Sequence, residues 1–275
     1  MSNQIQLAVH GAAGRMGCRV TAAAAADPDI EIVAAIENPV SDHLGTDAGT
    51  LAGIAAVDVP ISDRWPNYAS AVIDFSLPSA AEGVITKCLA AEMPLVMATT
   101  GLDEMQVQQL QNAASEIPIV FAPSMSMTVN LAMKMAADAA AKLANVPGGL
   151  DVEIIERHHR HKADAPSGTA LRFGQLIADA IQSATDATDE DTIDHVHGRY
   201  GEVGARPRNE IGYHAVRVGD NPGEHTIVLG MLGERIEINV AASNRDCYAT
   251  GAIAAAKWIQ GKPPGMYDMF DVLGI

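Results

Sequence analysis

The chain is 275 residues long, 48% apolar and 19% charged, which suits one large or two modest domains around a core and excludes a disordered protein. Its 18 basic and 34 acidic residues leave a net charge of -16, a field that repels a phosphate backbone and excludes nucleic acid as an expected partner. Cys18, Cys88 and Cys247 lie far apart without a C-x-x-C pair, excluding a disulfide scaffold and a thiolate zinc knuckle.

No apolar run approaches the roughly 18 residues of a membrane helix, and the start, Met1-Ser2-Asn3-Gln4, lacks the basic and apolar regions of a signal peptide. A cytoplasmic protein without membrane contact is expected. In chain order, Ile5 to Val9 reads as a strand, Gly14 to Ala26 as a helix, and Ile30 to Ile36 as a second strand closed by Glu37-Asn38-Pro39. Further strands are predicted at Val57 to Ile61, Ala71 to Phe75, Leu95 to Ala98 and Ile117 to Phe121, with helices over Ser79 to Ala91 and Asp103 to Ser115. Such alternation predicts a parallel sheet with helices on its faces.

A longer helix from near Ser126 places Leu131, Met135, Ala139 and Leu143 on one face and stops at Pro147-Gly148-Gly149. The second half then changes character. A strand at Asp151 to Glu156 leads through a cationic loop to a helix over Ser167 to Ile181. Three strands at Ile211 to Val218, His225 to Met231 and Arg235 to Val240 follow on short connections, which predicts an antiparallel meander. A last helix over Tyr248 to Ile259 could return to the first domain. The acidic stretch with Asp186, Asp189, Glu190, Asp191 and Asp194 lacks the Gly and terminal Glu of a calcium loop and reads as solvated.

After the first strand, Gly11-Ala12-Ala13-Gly14-Arg15-Met16-Gly17 is a glycine-rich turn opening a helix, the arrangement that lets backbone amides approach a pyrophosphate. Glu37 ends the second strand 20 residues after Gly17, where an acid would hold ribose hydroxyls. The register predicts a nicotinamide or flavin nucleotide; a tight turn packed on a helix would need small residues too. Asn38 follows the acid where a 2′-phosphate would want Arg or Lys, so the reading leans to NADH over NADPH, with Arg15 still in reach of a phosphate. Thr99-Thr100-Gly101 and Ala122-Pro123-Ser124-Met125 end strands at the carboxyl edge, where ligands collect and where ordinary turn chemistry uses the same residues.

Between Arg157 and Lys162, six residues hold three of the 18 Lys and Arg and three of the nine His, on a strongly acidic chain. That concentration points to an anion, with histidines as proton donors, Lys162 as a fixed cation or general acid, and Pro166-Ser167-Gly168-Thr169 opening a helix with exposed amides. A solvated basic loop is the blander reading. His158 with His161, or His195 with His197, could pair on a metal, but no third ligand is evident nearby and no metal is assigned.

These motifs, with Arg217-x-Gly219, Gly223-Glu224-His225-Thr226 and Gly233-Glu234-Arg235, resemble the 4-hydroxy-tetrahydrodipicolinate reductase (dihydrodipicolinate reductase) family of the diaminopimelate route to lysine, nearly end to end. The resemblance implies an NADH- or NADPH-dependent oxidoreductase acting on a cyclic unsaturated dicarboxylate. Its fold would be a Rossmann-type doubly wound parallel α/β sheet with an inserted α+β domain containing a mostly antiparallel open sheet. Residues 1-126 plus 243-275 would bind the dinucleotide, and 127-242 would bind substrate and form a homotetramer. His158 matches the acid/base position and Lys162 the proton donor; His159, Lys162, Ser167, Gly168 and Thr169 match substrate positions. Cofactor positions would be Gly11, Ala12, Ala13, Gly14, Arg15, Met16, Glu37, Ala98, Thr99, Thr100, Ala122, Pro123, Ser124 and Met125. Ala98, Ser124 and Thr128 stand where Gly, Asn and Gly are usual, and Asn38 where some members carry Arg, which bears on cofactor fit. The alternatives are another NAD(P)-dependent amino-acid dehydrogenase, which would need a different substrate loop, and a nucleotide-binding module that has lost turnover.

Overall fold

The computed structural model describes residues 4-185 and 192-275, so the acidic positions 186-191 lie outside the described residues. Among the described residues two compact units emerge, 4-127 with 245-274, and 128-185 with 192-244. The first contains β1 (Ile5–His10), α1 (Arg15–Ala25), β2 (Ile30–Ile36), α2 (Ala48–Leu51), β3 (Ile61–Ser62), β4 (Ala71–Asp74), α3 (Ala81–Ala90), β5 (Leu95–Met97), α4 (Glu104–Ala113) and β6 (Pro118–Phe121). The second runs through α5 (Met127–Leu143), β7 (Asp151–His158), α6 (Gly168–Ala184), β8 (Asp194–His197), β9 (Glu210–Arg217), β10 (Glu224–Met231) and β11 (Glu234–Ala241). The chain then returns to the first unit as α7 (Asp246–Trp258), β12 (Gly265–Tyr267) and α8 (Met269–Leu273).

The first sheet is parallel throughout, in the order β12-β6-β5-β4-β1-β2-β3. Successive strand residues face opposite sides, so each strand feeds two cores. Leu7, Val9, Ile73 and Val96 join the cluster that includes Ala252 and Ala256 of α7; Ala8, Val72, Leu95 and Met97 join the one that includes Val84 of α3 and Leu110 of α4. Fully burying an aliphatic side chain of this size contributes about 1.5–3 kcal/mol. Both faces being covered explains why the strands read as short continuous apolar runs. The strand predicted at Val57 to Ile61 shrinks to Ile61–Ser62, because the amides of Val57 and Val59 are drawn to the Asp47 carboxylate, the side-chain cap of α2.

The second sheet has the order β11-β10-β7-β9-β8 and is mixed: β10 is antiparallel to β7 and β11, whereas β9 is parallel to β7 and β8. The predicted meander holds only for β10 and β11. β7 lies between β9 and β10, so the connection containing Gly219 to Gly223 steps over a strand. Helix α6 starts at the Ser167 cap, whose hydroxyl accepts the Ala170 amide, and buries Ala170, Phe173, Gly174, Ile177 and Ala178 at helical spacing. Gly174 is required there, since a Cβ would lie 1.6 Å from the Tyr213 hydroxyl of β9. On α5 the predicted apolar face is turned outward: Leu131 and Met135 are exposed, and Val129, Met133, Ala136 and Ala140 are buried. Among the described residues no helix is long and apolar enough to cross a membrane.

Candidate active site

In the first unit, β1 delivers the chain to Gly11, whose φ of +74° and position suit only glycine: a Cβ there would lie 2.7 Å from the Phe75 carbonyl oxygen. Gly17 lets α1 close on the turn, because a Cβ would meet the Gly11 oxygen at 2.1 Å. Gly14 caps α1 without a side-chain hydrogen bond, so a backbone amide end faces outward with Arg15 exposed beside it. Glu37 lies against this turn, with Oε2 accepting the Ala13 amide at 3.0 Å and Oε1 the Asn38 amide at 2.9 Å. Gly11, Ala13, Gly14 and Glu37 line a cavity of about 1100 Å³. A bare-backbone wall, an amide-rich helix start and a fixed carboxylate acceptor fit a dinucleotide.

Sequence reasoning missed several residues of this cavity. His10, Arg64, Trp65 and Lys87 also line it, the cations arriving from the loop after β3 and from α3, far in sequence from Glu37. Behind it lies a buried polar group: Asp74 is fully buried, with Oδ1 2.6 Å from His10 Nδ1, and Oδ2 accepting the Thr99 hydroxyl at 2.6 Å. Thr99 is thus tied to the turn region through Asp74 and His10, and buried Ala98 precedes it while Thr100 is exposed. After β6, Ala122, Ser124 and Met125 are buried and Pro123 is exposed. Gly251 of α7 makes room for this segment; a Cβ there would meet the Met125 oxygen at 1.7 Å. Ala12 is buried under the turn and Met16 is packed against the core.

In the second unit, strand alternation places Glu156 and His158 on one face of β7, both buried. Glu156 Oε2 lies 2.5 Å from His158 Nδ1, and the same carboxylate accepts two bonds from Arg217 at 2.7 and 2.8 Å and the Ser167 amide at 3.1 Å. Burial would raise the Glu156 pKa, but Arg217 and His158 outweigh it and hold it low. Burial pulls the His158 pKa below its ordinary value, aided by the charges of Lys162 and Arg217 and opposed by Glu156. The imidazole is therefore neutral near pH 7, its Nδ1 proton directed at Glu156 and its Nε2 an acceptor. Gly223 packs at that nitrogen, where a Cβ would come within 3.0 Å.

The rest of the predicted loop gathers here. Lys162 Nζ pairs with Asp164 Oδ1 at 2.8 Å, which lowers the Asp164 pKa. His159 carries a buried Nδ1 with no protein partner among the described residues, a polar atom for a ligand to satisfy. Ser167, Gly168 and Thr169 form the start of α6, and Ser167 Oγ lies 3.3 Å from His225 Nε2. Burial pushes the His225 pKa down to about 4. Glu156 had a local signal, its place two residues before His158 on an alternating strand, but its partner Arg217 is brought in by the β7 and β9 register. His195 bonds the Tyr213 hydroxyl at 2.6 Å. Among the described residues no cluster of three or more His, Cys, Asp or Glu could hold a metal.

The strand order 3-2-1-4-5-6 within the first sheet, carrying the glycine turn and its facing acid, defines the class as a dinucleotide-dependent oxidoreductase. Comparison with known proteins narrows it. The family model for the dihydrodipicolinate reductase N-terminus matches residues 5–125 and that for the C-terminus residues 128–273. The 4-hydroxy-tetrahydrodipicolinate reductase of Rhodopirellula baltica is 60% identical, covering 98% of this chain and 96% of its own; that of Alkalilimnicola ehrlichii is 46% identical over 98% and 99%. A dipicolinate-bound dihydrodipicolinate reductase from Paenisporosarcina sp. TG-14 shares the fold, with a TM-score of 0.75 at 24% identity over 98% of each chain. The chain belongs to the dihydrodipicolinate reductase family. Its activity is reduction of 4-hydroxy-tetrahydrodipicolinate in lysine biosynthesis, and the family uses NAD(P)H.

Proposed function

We propose that the cyclic dicarboxylate binds in the second unit at the His158 to Thr169 loop, and the nicotinamide nucleotide in the first unit along Gly11 to Met16, Glu37, Ala98 to Thr100 and Ala122 to Met125. In domain terms, 1-126 with 243-275 carries the cofactor and 127-242 the substrate. NAD(P)H when bound supplies the hydride. Reduction of a conjugated imine pushes negative charge onto the neighbouring carbon and nitrogen, so a fixed cation there stabilises the transition state more than the ground state. Lys162 is that cation and gives the proton. His158 is the acid/base partner, and its neutral ring, held by Glu156, accepts at Nε2. His159, Ser167, Gly168 and Thr169 hold the carboxylates through the orphaned Nδ1 and the amides at the start of α6.

The observation that carries this reading is the Glu156-anchored His158 beside a lysine whose only carboxylate contact among the described residues is the exposed Asp164. Glu37 followed by Asn38 favours NADH over NADPH. The open second sheet, with β8 and β11 as its edges, suits pairing between copies in a homotetramer, and the protein works in the cytoplasm. The test follows NADH and NADPH oxidation with the condensation product of pyruvate and aspartate semialdehyde. His158→Ala or Lys162→Ala should lower turnover by roughly 10²–10⁴-fold with nucleotide affinity nearly unchanged. Equal loss of nucleotide binding would contradict these roles.

A further inference from the structure

His10, immediately before the glycine turn, plays no part in the chemistry above, yet it is built into the cofactor cavity. Its ring lines that cavity with Gly11, Gly14 and Glu37, and its Nδ1 is 2.6 Å from the fully buried Asp74, whose second oxygen takes the Thr99 hydroxyl. Trp65 lies over the ring at 5.2 Å between centroids and limits its rotation. A carboxylate is acceptor-only, so the Nδ1 that faces Asp74 is the nitrogen carrying a proton, and in that tautomer Nε2 is the ring's acceptor. Among the described residues Nε2 has no protein partner. The cavity wall thus presents two fixed acceptors, the Glu37 carboxylate and the His10 Nε2.

Two acceptors complement two hydroxyl donors. Resting on the proposed dinucleotide reading, we infer that His10 is a specificity-determining residue that accepts a hydroxyl proton from the adenosine ribose diol beside Glu37, with Asp74 as the residue that positions it. A 2′-phosphate offers no hydroxyl proton at that position and adds charge beside Glu37. The other charged groups lining the cavity are Asp63, Arg64 and Lys87, so the two cations oppose this discrimination and His10 with Glu37 supports it.

The test separates Nε2 from mere support of the turn. Asn at position 10 can still donate to Asp74 but has nothing in place of Nε2, so dissociation constants for NADH and NADPH are measured by calorimetry on the full chain and on His10→Asn, with thermal unfolding alongside. The expected result is NADH binding weakened about tenfold, the loss of one hydrogen bond, with NADPH binding changed less than twofold and the unfolding midpoint retained. Unchanged NADH affinity in the variant, or an equal loss for both nucleotides, overturns the inference. Where the variant unfolds early, Asp74→Asn gives the second reading: loss of ring positioning should weaken NADH more than NADPH, and parallel loss refutes it. A wild-type chain that binds neither nucleotide would instead refute the dinucleotide site itself.

Discussion

Glu156 sets both the orientation and the basicity of His158, since its carboxylate fixes Nδ1 and is the strongest influence raising the imidazole pKa against burial. Glu156→Gln keeps the shape but removes the charge. With that influence gone, the His158 pKa falls further, so the acid limb of the kcat profile should move to lower pH while turnover drops about tenfold, near 1.4 kcal/mol. A profile that stays in place with reduced turnover would mean that Glu156 only holds the loop. In the cofactor cavity, Arg64 is the cation that local reading around Asn38 could not supply. Arg64→Ala is expected to weaken NADPH binding about fivefold and to leave NADH nearly unchanged, measured by fluorescence titration. The sequence made His158, Lys162 and the glycine turn legible because their residue types are rare or positional. It hid Asp74, an acid ending a strand, and showed Arg217 only as part of a motif of the resemblance, because the contacts of the one with His10 and of the other, 59 positions after His158, with Glu156 arise only through pairing of strands.

At the scale of elements, the first sheet was readable because each βαβ step is local, and parallel strands with helical crossovers leave few topologies. The second sheet was not, because the Gly219 to Gly223 link is short enough for a hairpin while β7, more than 50 residues upstream, takes the place between β9 and β10. The buried face of α5 was not legible for a related reason: a helix rich in Ala and Met is apolar on more than one side, so the periodicity that aligns Leu131 and Met135 does not select the side that packs inward. The packing of α6 on β9 gives a sharp element-scale outcome. Gly174→Ala puts a methyl 1.6 Å from the Tyr213 hydroxyl, and the helix must lift or the tyrosine must leave its His195 bond. Denaturant unfolding should show a loss of about 3 kcal/mol, at the upper end of overpacking costs. A loss under about 0.5 kcal/mol, as at ordinary surface sites, would show that α6 slides freely on the sheet.

For the whole molecule, acid should act unevenly, because several proton-linked side chains, His225, His158, Glu153 and Glu156 among them, share the second unit. Burial depresses His225 to about 4 and His158 below the ordinary 6.5. Across that window the unfolded chain binds more protons than the native one, so stability falls as pH drops from about 6.5 towards 4; for His225 alone the displacement is worth roughly 3 kcal/mol. Burial would raise Glu153, yet Arg199, His214 and Arg206 hold it at about 2, and Glu156 is also depressed. Their contribution is present above the ordinary carboxylate value of about 4.5 and is lost as pH falls towards 2, extending the same decline. Amide exchange corrected for intrinsic rates should therefore show β7, β9 and β10 losing protection between pH 6.5 and 4 before β1, β4 and β5 do. His225→Phe, which keeps an aromatic ring against Phe173 without a titrating group, should flatten that loss. Parallel loss of protection in both units, or an unchanged slope in the variant, would place the acid-sensitive groups elsewhere in the chain.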